Sequence, residues 1–150
     1  MIKIINPGGD YSQAEQVRYA VFVEEQGVPH ENEMDEHDRH AHHAVLLERG
    51  EPVGCGRIYF AGGAAKLGRV AVLPGHRRKG HAMKICGALI DIAASHDIKR
   101  IVLHSQAYAA PLYEKLGFER VGGEFLEENI PHFKMVRDVF GTARQNSHRD

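Results

Sequence analysis

Several features that would settle the function of a chain at once are missing from this one. Only two cysteines, Cys55 and Cys86, occur in 150 residues. That is too few for a disulfide-stapled secreted scaffold, and both sit in apolar stretches where a thiol behaves as a small buried hydrophobe in a reducing compartment. An excess of one charge is missing too. Nineteen basic and twenty acidic residues leave a net charge of -1, without the basic field that non-specific nucleic-acid binding requires. No apolar run approaches the length of a membrane span, and MIKIINPGGD lacks the basic-then-apolar order of an export signal. The expectation is a cytoplasmic protein with no nucleic acid and no membrane among its partners. Internal repeats and a second domain are absent as well. What is present is ordinary for a soluble globule of one domain: 43% hydrophobic and 26% charged residues.

The stretch around which the chain is organised runs from Leu67 to Ala93, LGRVAVLPGHRRKGHAMKICGALIDIA. A β-branched strand, Leu67 to Leu73, leads through Pro74 and Gly75 into a basic loop, His76-Arg77-Arg78-Lys79-Gly80-His81. Ala82, Ile85, Cys86, Leu89, Ile90 and Ala93 then recur at spacings of three and four, which predicts an amphipathic helix. The loop therefore sits at a helix N-terminus, where free amides and the positive end of the helix dipole favour an anion. Two familiar phosphate loops do not fit. After Gly75 and Gly80, His81 and Ala82 stand where a triphosphate-binding loop carries Lys and Ser or Thr, and no G-x-G-x-x-G opens a helix.

In chain order, Ile2 to Ile5 reads as an edge strand ended by Asn6-Pro7-Gly8-Gly9. A helix follows, capped by Asp10 with Gln13 as its capping-box partner, with Ala14, Val17 and Val21 inward and Gly27 as its end. Val28 to His42 has no usable period and reads as a loop or a short irregular helix. Ala44 to Leu47 and Val53 to Phe60 form a hairpin across Arg49-Gly50-Glu51-Pro52, and Ala61-Gly62-Gly63-Ala64 turns into the central strand. Arg100 to His104 is a buried strand, and Ala107 to Leu116 a compact helix whose left-handed cap is Gly117. Phe118 to Val121 and His132 to Val136 close the fold around a glycine-containing acidic connection. Residues 141–150 hold no apolar side chain larger than Ala and read as a flexible C-terminal tail. The pattern is α/β with a mixed sheet.

Arg77-Arg78-Lys79-Gly80-His81-Ala82 resembles the Q/R-x-x-G-x-G/A signature of the GNAT superfamily of N-acetyltransferases. Ala110-Pro111-Leu112-Tyr113-Glu114-Lys115-Leu116-Gly117-Phe118 resembles its A-x-x-[FL]-Y-x-K-x-G-F motif, one strand further on. Val21 to Pro29, then Asp35, Asp38 and His43, and later Ile130 to Met135 are similar to the ElaA/YjcF-like branch. The likeness covers residues 2 to 138. It implies a single-domain GNAT fold over residues 1–140: a twisted mixed sheet of six to seven strands, with splayed fourth and fifth strands and about four helices.

The resemblance also implies acetyl-CoA as co-substrate, an amine acceptor (small molecule or peptide), and a direct attack on the thioester; it leaves a homodimer open. By family position the amides around Arg77, Arg78, Lys79, Gly80, His81, Ala82 and Met83 take the pyrophosphate. Val70 and Val72 present backbone to the acetyl carbonyl and pantetheine, with the Val70 N–H as oxyanion donor. Gln106 stands where relatives carry a pantetheine-binding Asn. Tyr113 matches the general acid beside the departing sulfur, a phenol that stays protonated at neutral pH.

The general base is less determined. Lys66 stands where some histone-acetylating relatives have a catalytic Glu, so their mechanism and acceptor do not transfer. Glu25, His104 and His132 remain as candidates. The acids Glu31, Glu33, Asp35, Glu36, Asp38, Glu124, Glu127 and Glu128 fall in the segments 28–42 and 122–131, expected to wall the acceptor pocket and to suit a cationic amine. Two other readings stand beside the enzyme: an acyl-CoA-binding sensor without catalysis, and a metal site in His30-Glu-Asn-Glu-Met-Asp-Glu-His37-Asp-Arg-His40-Ala-His42-His43. That cluster lacks the paired spacing of a dedicated site, and no metal ligand is assigned.

Overall fold

The computed structural model describes residues 1–139; the expected tail, 141–150, lies outside the described residues. Seven strands and four helices follow in the order β1 (Ile2–Ile5), α1 (Ser12–Arg18), α2 (His30–Glu33), β2 (His42–Glu48), β3 (Glu51–Ala61), β4 (Ala64–Val72), α3 (His81–Ser95), β5 (Arg100–Gln106), α4 (Ala110–Lys115), β6 (Glu119–Glu127) and β7 (Ile130–Asp138). The strand order is β1-β2-β3-β4-β5-β7-β6; β1–β2, β2–β3, β5–β7 and β7–β6 pair antiparallel, and β4–β5 pairs parallel. That parallel ladder is three residue pairs long, Ala64↔Arg100 to Lys66↔Val102, although β4 continues to Val72 and β5 to Gln106. The expected mixed α/β sheet with parting fourth and fifth strands is what the chain forms.

The chain is threaded through two compact units, Met1–Tyr59 with Arg69–Leu89, and Phe60–Gly68 with the residues from Ile90 onward. In the first, Ile5, Ala14, Val17, Val21, Val45, Cys55 and Ala71 form the core, with Tyr11, Phe22, Leu47 and Leu73 packed against it. In the second, Ile101, Leu103, Ala110, Phe118 and Met135 are buried. Both cysteines are free and buried, and burial pushes the Cys55 thiol up to about 12, which keeps it unreactive.

Two expectations for the first helix need correction. Asp10 accepts from the Ser12 amide at 2.9 Å, but no side chain caps α1, and Gln13 receives Lys3 Nζ instead of closing a capping box. Beyond Arg18 the helix continues with π geometry over Tyr19–Glu25, where Gln26 donates to the Val21 carbonyl five residues back. Gly27, at φ 77°, then ends it as expected.

Turns are tighter than expected. Arg49-Gly50 and Glu128-Asn129 each have both residues at positive φ, the two-residue hairpin geometry that matches strand twist. The second moves the acidic connection. Residues 122–127 belong to β6, pairing with β7 on either side of a register shift between Val121 and Phe125, so the segment is strand and not loop.

Glycine decides how α3 docks in the first unit. A Cβ on Gly56 would stand 2.8 Å from Ile85 Cγ2 and 3.0 Å from Leu89 Cδ1; on Gly87 it would meet nothing within 4 Å. Gly56→Ala is therefore expected to destabilise by about 1–3 kcal/mol through overpacking. Gly87→Ala should instead stabilise by about 0.5–1 kcal/mol through helix propensity. Denaturant midpoints of the two variants, moving in opposite directions, would check this.

Candidate active site

In the first unit, β4 ends in a turn at Pro74–His76, and the basic loop delivers Gly80 to the start of α3. Arg78 and Gly80 adopt φ of 63° and 80°, turning the loop sharply just before the helix. The first intrahelical bond runs from the Lys84 amide to the Gly80 carbonyl at 3.2 Å. The amides of His81, Ala82 and Met83 accordingly have no carbonyl one turn back and can serve an anion.

The loop's side chains are less free than its amides. Arg77 Nε donates to the Val72 carbonyl at 2.8 Å, and its two terminal nitrogens donate to Glu25 at 2.9 and 2.6 Å. Those bonds hold the Glu25 carboxyl below the usual range, so Glu25 is occupied as an ion-pair partner and is the poorest of the three base candidates. Glu48, at the end of β2, meets His76 Nδ1, with His81 Nε2 at 3.4 Å and Lys79 Nζ at 3.8 Å. The hydrogen bond to His76 is the main cause of its lowered pKa. The loop has thus already drawn in carboxylates, which fits a site built for anionic groups.

Just before Val70, Arg69 sits in the left-handed region at φ 53°, an uncommon conformation for a residue with a side chain. Its guanidinium is anchored on both ends, Nε to the Glu33 carbonyl at 3.1 Å and Nη2 to Asp35 Oδ2 at 3.3 Å. Behind it lies a buried ion network. Arg18 donates to Glu33 at 2.6 Å and to Asp38 at 2.7 Å, and Arg57 donates to Asp35 at 2.7 and 2.8 Å and to Asp38 at 2.8 Å. Arg18, Glu33, Asp38 and Arg57 are all at most 5% exposed. Burial raises the Glu33 carboxyl, whereas Asp38, with two guanidiniums against it, is held down at about 2.

This network corrects the expectation for the 28–42 segment. Glu33, Asp35 and Asp38 do not line a wall for a cationic acceptor; three arginines neutralise them. His43 belongs to the same structure: it is 1% exposed, stacks on Tyr11 and donates from Nε2 to the Asp38 carbonyl at 2.9 Å, and burial keeps its pKa low. His37 stacks on Tyr59 and meets His40. Among the described residues no group of three or more His, Cys, Asp or Glu is placed to hold a metal ion.

In the second unit, β5 carries His104 and Gln106 on one face and α4 carries Tyr113. Tyr113 is 7% exposed, its ring edge-on to Phe118. Its carbonyl accepts from the Leu116 and Phe118 amides at 3.0 Å each, with Gly117 left-handed between them at φ 90°. On the neighbouring strands His132 lies opposite Gln106 on β5 and opposite Phe125 on β6. His104 Nδ1 donates to Glu127 Oε1 at 2.9 Å, and His132 Nδ1 donates to the Ile130 carbonyl at 2.7 Å. Glu127 as a histidine partner is the residue the sequence did not single out. With Glu128-Asn129 taken as a hairpin turn, strand alternation would have placed Glu127 and Phe125 on one face.

The expected residues therefore fall into two groups: Val70, Val72 and Arg77 to Met83 in the first unit, and His104, Gln106, Tyr113 and His132 in the second. Among the described residues no helix is long and apolar enough to cross a membrane.

Comparison with known proteins agrees with these motifs. The family model of the acetyltransferase (GNAT) domain matches residues 9–139. YjcF of Bacillus subtilis, described as an uncharacterized N-acetyltransferase, is 40% identical over 123 residues, covering 81% of this chain and 88% of YjcF. YyaT of the same organism is 35% identical over 141 residues, covering 92% and 95%. Among solved structures, Escherichia coli ElaA superposes with a TM-score of 0.83 at 25% identity, covering 92% of this chain and 99% of ElaA.

Proposed function

The chain belongs to the GNAT acetyltransferase family and is an acyltransferase, and from that premise we propose that it moves an acetyl group from acetyl-CoA to a primary amine by direct attack in a ternary complex. The observation that carries this reading is the Arg77–Met83 loop, whose backbone leads into α3 with three amides that lack helical acceptors and could serve an anion. Acetyl-CoA supplies the activated thioester. The amides of His81, Ala82 and Met83 would hold its pyrophosphate, helped by the charges of Arg78 and Lys79, and Arg77 braces the loop through Val72 and Glu25. Val70 N–H is the donor for the developing oxyanion, the Val72 backbone and Gln106 position the pantetheine, and Tyr113 protonates the departing sulfur. Residues 1–140 serve as one acetyltransferase domain working in the cytoplasm, as monomer or homodimer.

The cationic-acceptor idea rests on fewer acids than the sequence offered, with Glu31, Glu36, Glu124 and Glu128 remaining at the surface. Thiol release from acetyl-CoA in the presence of a panel of cationic, neutral and anionic amines tests the reading. Release that depends on an added amine, with the acetylated amine recovered, is the expected result. Acetyl-CoA binding with no release from any amine would mark a sensor and refute the enzyme.

A further inference from the structure

We propose that His104 is the general base of the acetyl transfer and that Glu127 is the positioning residue that fixes its ring; the proposal rests on the acetyltransferase reading above. Three neighbouring strands build the pair. Gln106 and His104 are two residues apart on β5, so they share a face; Gln106 pairs with His132 on β7, and His132 with Phe125 on β6. Glu127 is two residues beyond Phe125, and its carboxylate reaches His104 Nδ1 at 2.9 Å. Phe125 sets its ring against both histidines, edge-on to His104 and stacked on His132.

Chemistry selects between the two histidines. A carboxylate oxygen only accepts, so Nδ1 of His104 carries the hydrogen and the neutral ring keeps its lone pair on Nε2. The His104 side chain is 47% exposed, which leaves that nitrogen able to meet a substrate. His132 also donates from Nδ1, to Ile130, but its side chain is 8% exposed and its Nε2 faces Glu127 at 3.9 Å. It is a packed neighbour, with little of its ring open to a substrate. Glu25, the third candidate, is held in two hydrogen bonds by Arg77.

In the step assigned to the pair, the amine nitrogen's lone pair forms the new N–C bond and the nitrogen's surplus proton passes to His104 Nε2. The C–S bond breaks with its electron pair on sulfur, which takes a proton from Tyr113. The carboxylate of Glu127 keeps the ring in one tautomer and stabilises the imidazolium that forms.

The test uses the full chain, saturating acetyl-CoA and an amine that the wild-type protein acetylates. His104→Ala should lower kcat by about 10²-fold or more, with KM for acetyl-CoA unchanged, and added imidazole should recover at least about tenfold of that loss by entering the vacated space. Glu127→Ala should lower kcat about tenfold at unchanged KM for acetyl-CoA, while Glu127→Gln, which keeps an oxygen for Nδ1, should retain most of the activity. Loss in His104→Ala without imidazole rescue would overturn the assignment, as would near-wild-type kcat in either alanine variant. A wild-type protein that binds acetyl-CoA but acetylates no amine would overturn the acetyltransferase reading and the pair with it; an active wild type with an active His104→Ala would overturn the pair alone.

Discussion

Replacing Asp38 by alanine is expected to remove about 3–5 kcal/mol of folding stability, because it strands two buried guanidiniums at once. Asp38 accepts from Arg18 at 2.7 and 3.2 Å, from Arg57 at 2.8 Å and from the Asp35 amide at 3.3 Å. Its side chain and that of Arg18 are each 1% exposed, so water cannot take over the lost contacts. Against a typical total of about 5–15 kcal/mol such a loss puts the protein near its threshold, with a melting temperature lower by about 10 °C or more. Glu36→Ala, two residues away on the exposed side of the same segment, should stay within about 0.5 kcal/mol. The pH dependence gives an independent reading. Asp38 titrates at about 2 in the folded chain against 3.8 ordinarily, so its contribution is complete above pH 3.8 and is lost as pH falls towards 2. His43, kept neutral by burial, costs stability as pH falls below about 6.5, where the unfolded histidine gains a proton. Burial raises Glu33, and that works in the opposite direction as pH falls. Chemical denaturation from pH 7 to pH 2 should therefore show an acid slope between pH 4 and 2 that Asp38→Ala flattens. An equal slope in both proteins would place the acid sensitivity elsewhere.

The stability of this network and its position explain each other. Arg69, left-handed next to Val70, is held by Glu33 and Asp35, and these are held in turn by Arg18 and Arg57. A balanced set of three arginines and three acids, four of them buried and Arg69 and Asp35 partly exposed, adds little net stability over an apolar core. What it does supply is one defined path for the chain from Glu33 to Asp38 and one defined bend in β4. Local strain of that kind persists where the surroundings determine it, and it lies beside the backbone proposed to meet the thioester.

What could be read beforehand was local. The face of α3 from Ile85 to Ala93 follows from a period of 3.6, and the loop's place at its N-terminus follows from the helix. Gly27 and Gly117 were legible because a helix end in the left-handed region favours glycine. The ion network was not legible, since its partners lie 15 to 36 residues apart and no spacing rule links them. Charged residues in a segment without period look like a solvated loop until tertiary packing shows what they face. The π-helical turn over Tyr19–Glu25 leaves no pattern distinct from an α-helix. Gly122 and Gly123 misled in the other direction: they read as a loop, yet the strand bulges at that point and resumes. A strand that ends at Val121 leaves Glu127 among the pocket acids, whereas one that continues to Glu127 sets it beside His104.

Tyr113→Phe is expected to lower kcat by about 10²–10³-fold, the scale of a lost general acid, while KM for acetyl-CoA and folding stability change little. The phenyl ring retains the edge contact with Phe118, and the backbone bonds from the Leu116 and Phe118 amides to the residue 113 carbonyl do not involve the side chain. The variant thus removes one hydroxyl and keeps these contacts. If that hydroxyl protonates the leaving sulfur, its loss should matter in proportion to how much the sulfur needs the proton. Coenzyme A is a poor leaving group when it departs unprotonated; an acetyl thioester of a more acidic thiol is a better one. Turnover of such a thioester should therefore be impaired far less in Tyr113→Phe than turnover of acetyl-CoA, and the ratio of the two rates in variant and wild type isolates the acid from any packing effect, which would slow both donors alike. Equal impairment with the two donors would remove Tyr113 from the proton path and leave it as a wall of the thioester site. A selective loss with acetyl-CoA would place one proton donor on α4, opposite in role to the acceptor proposed on β5. The two ends of the reaction would then be served by residues 104 and 113, on either side of the single turn Ala107–Ala109.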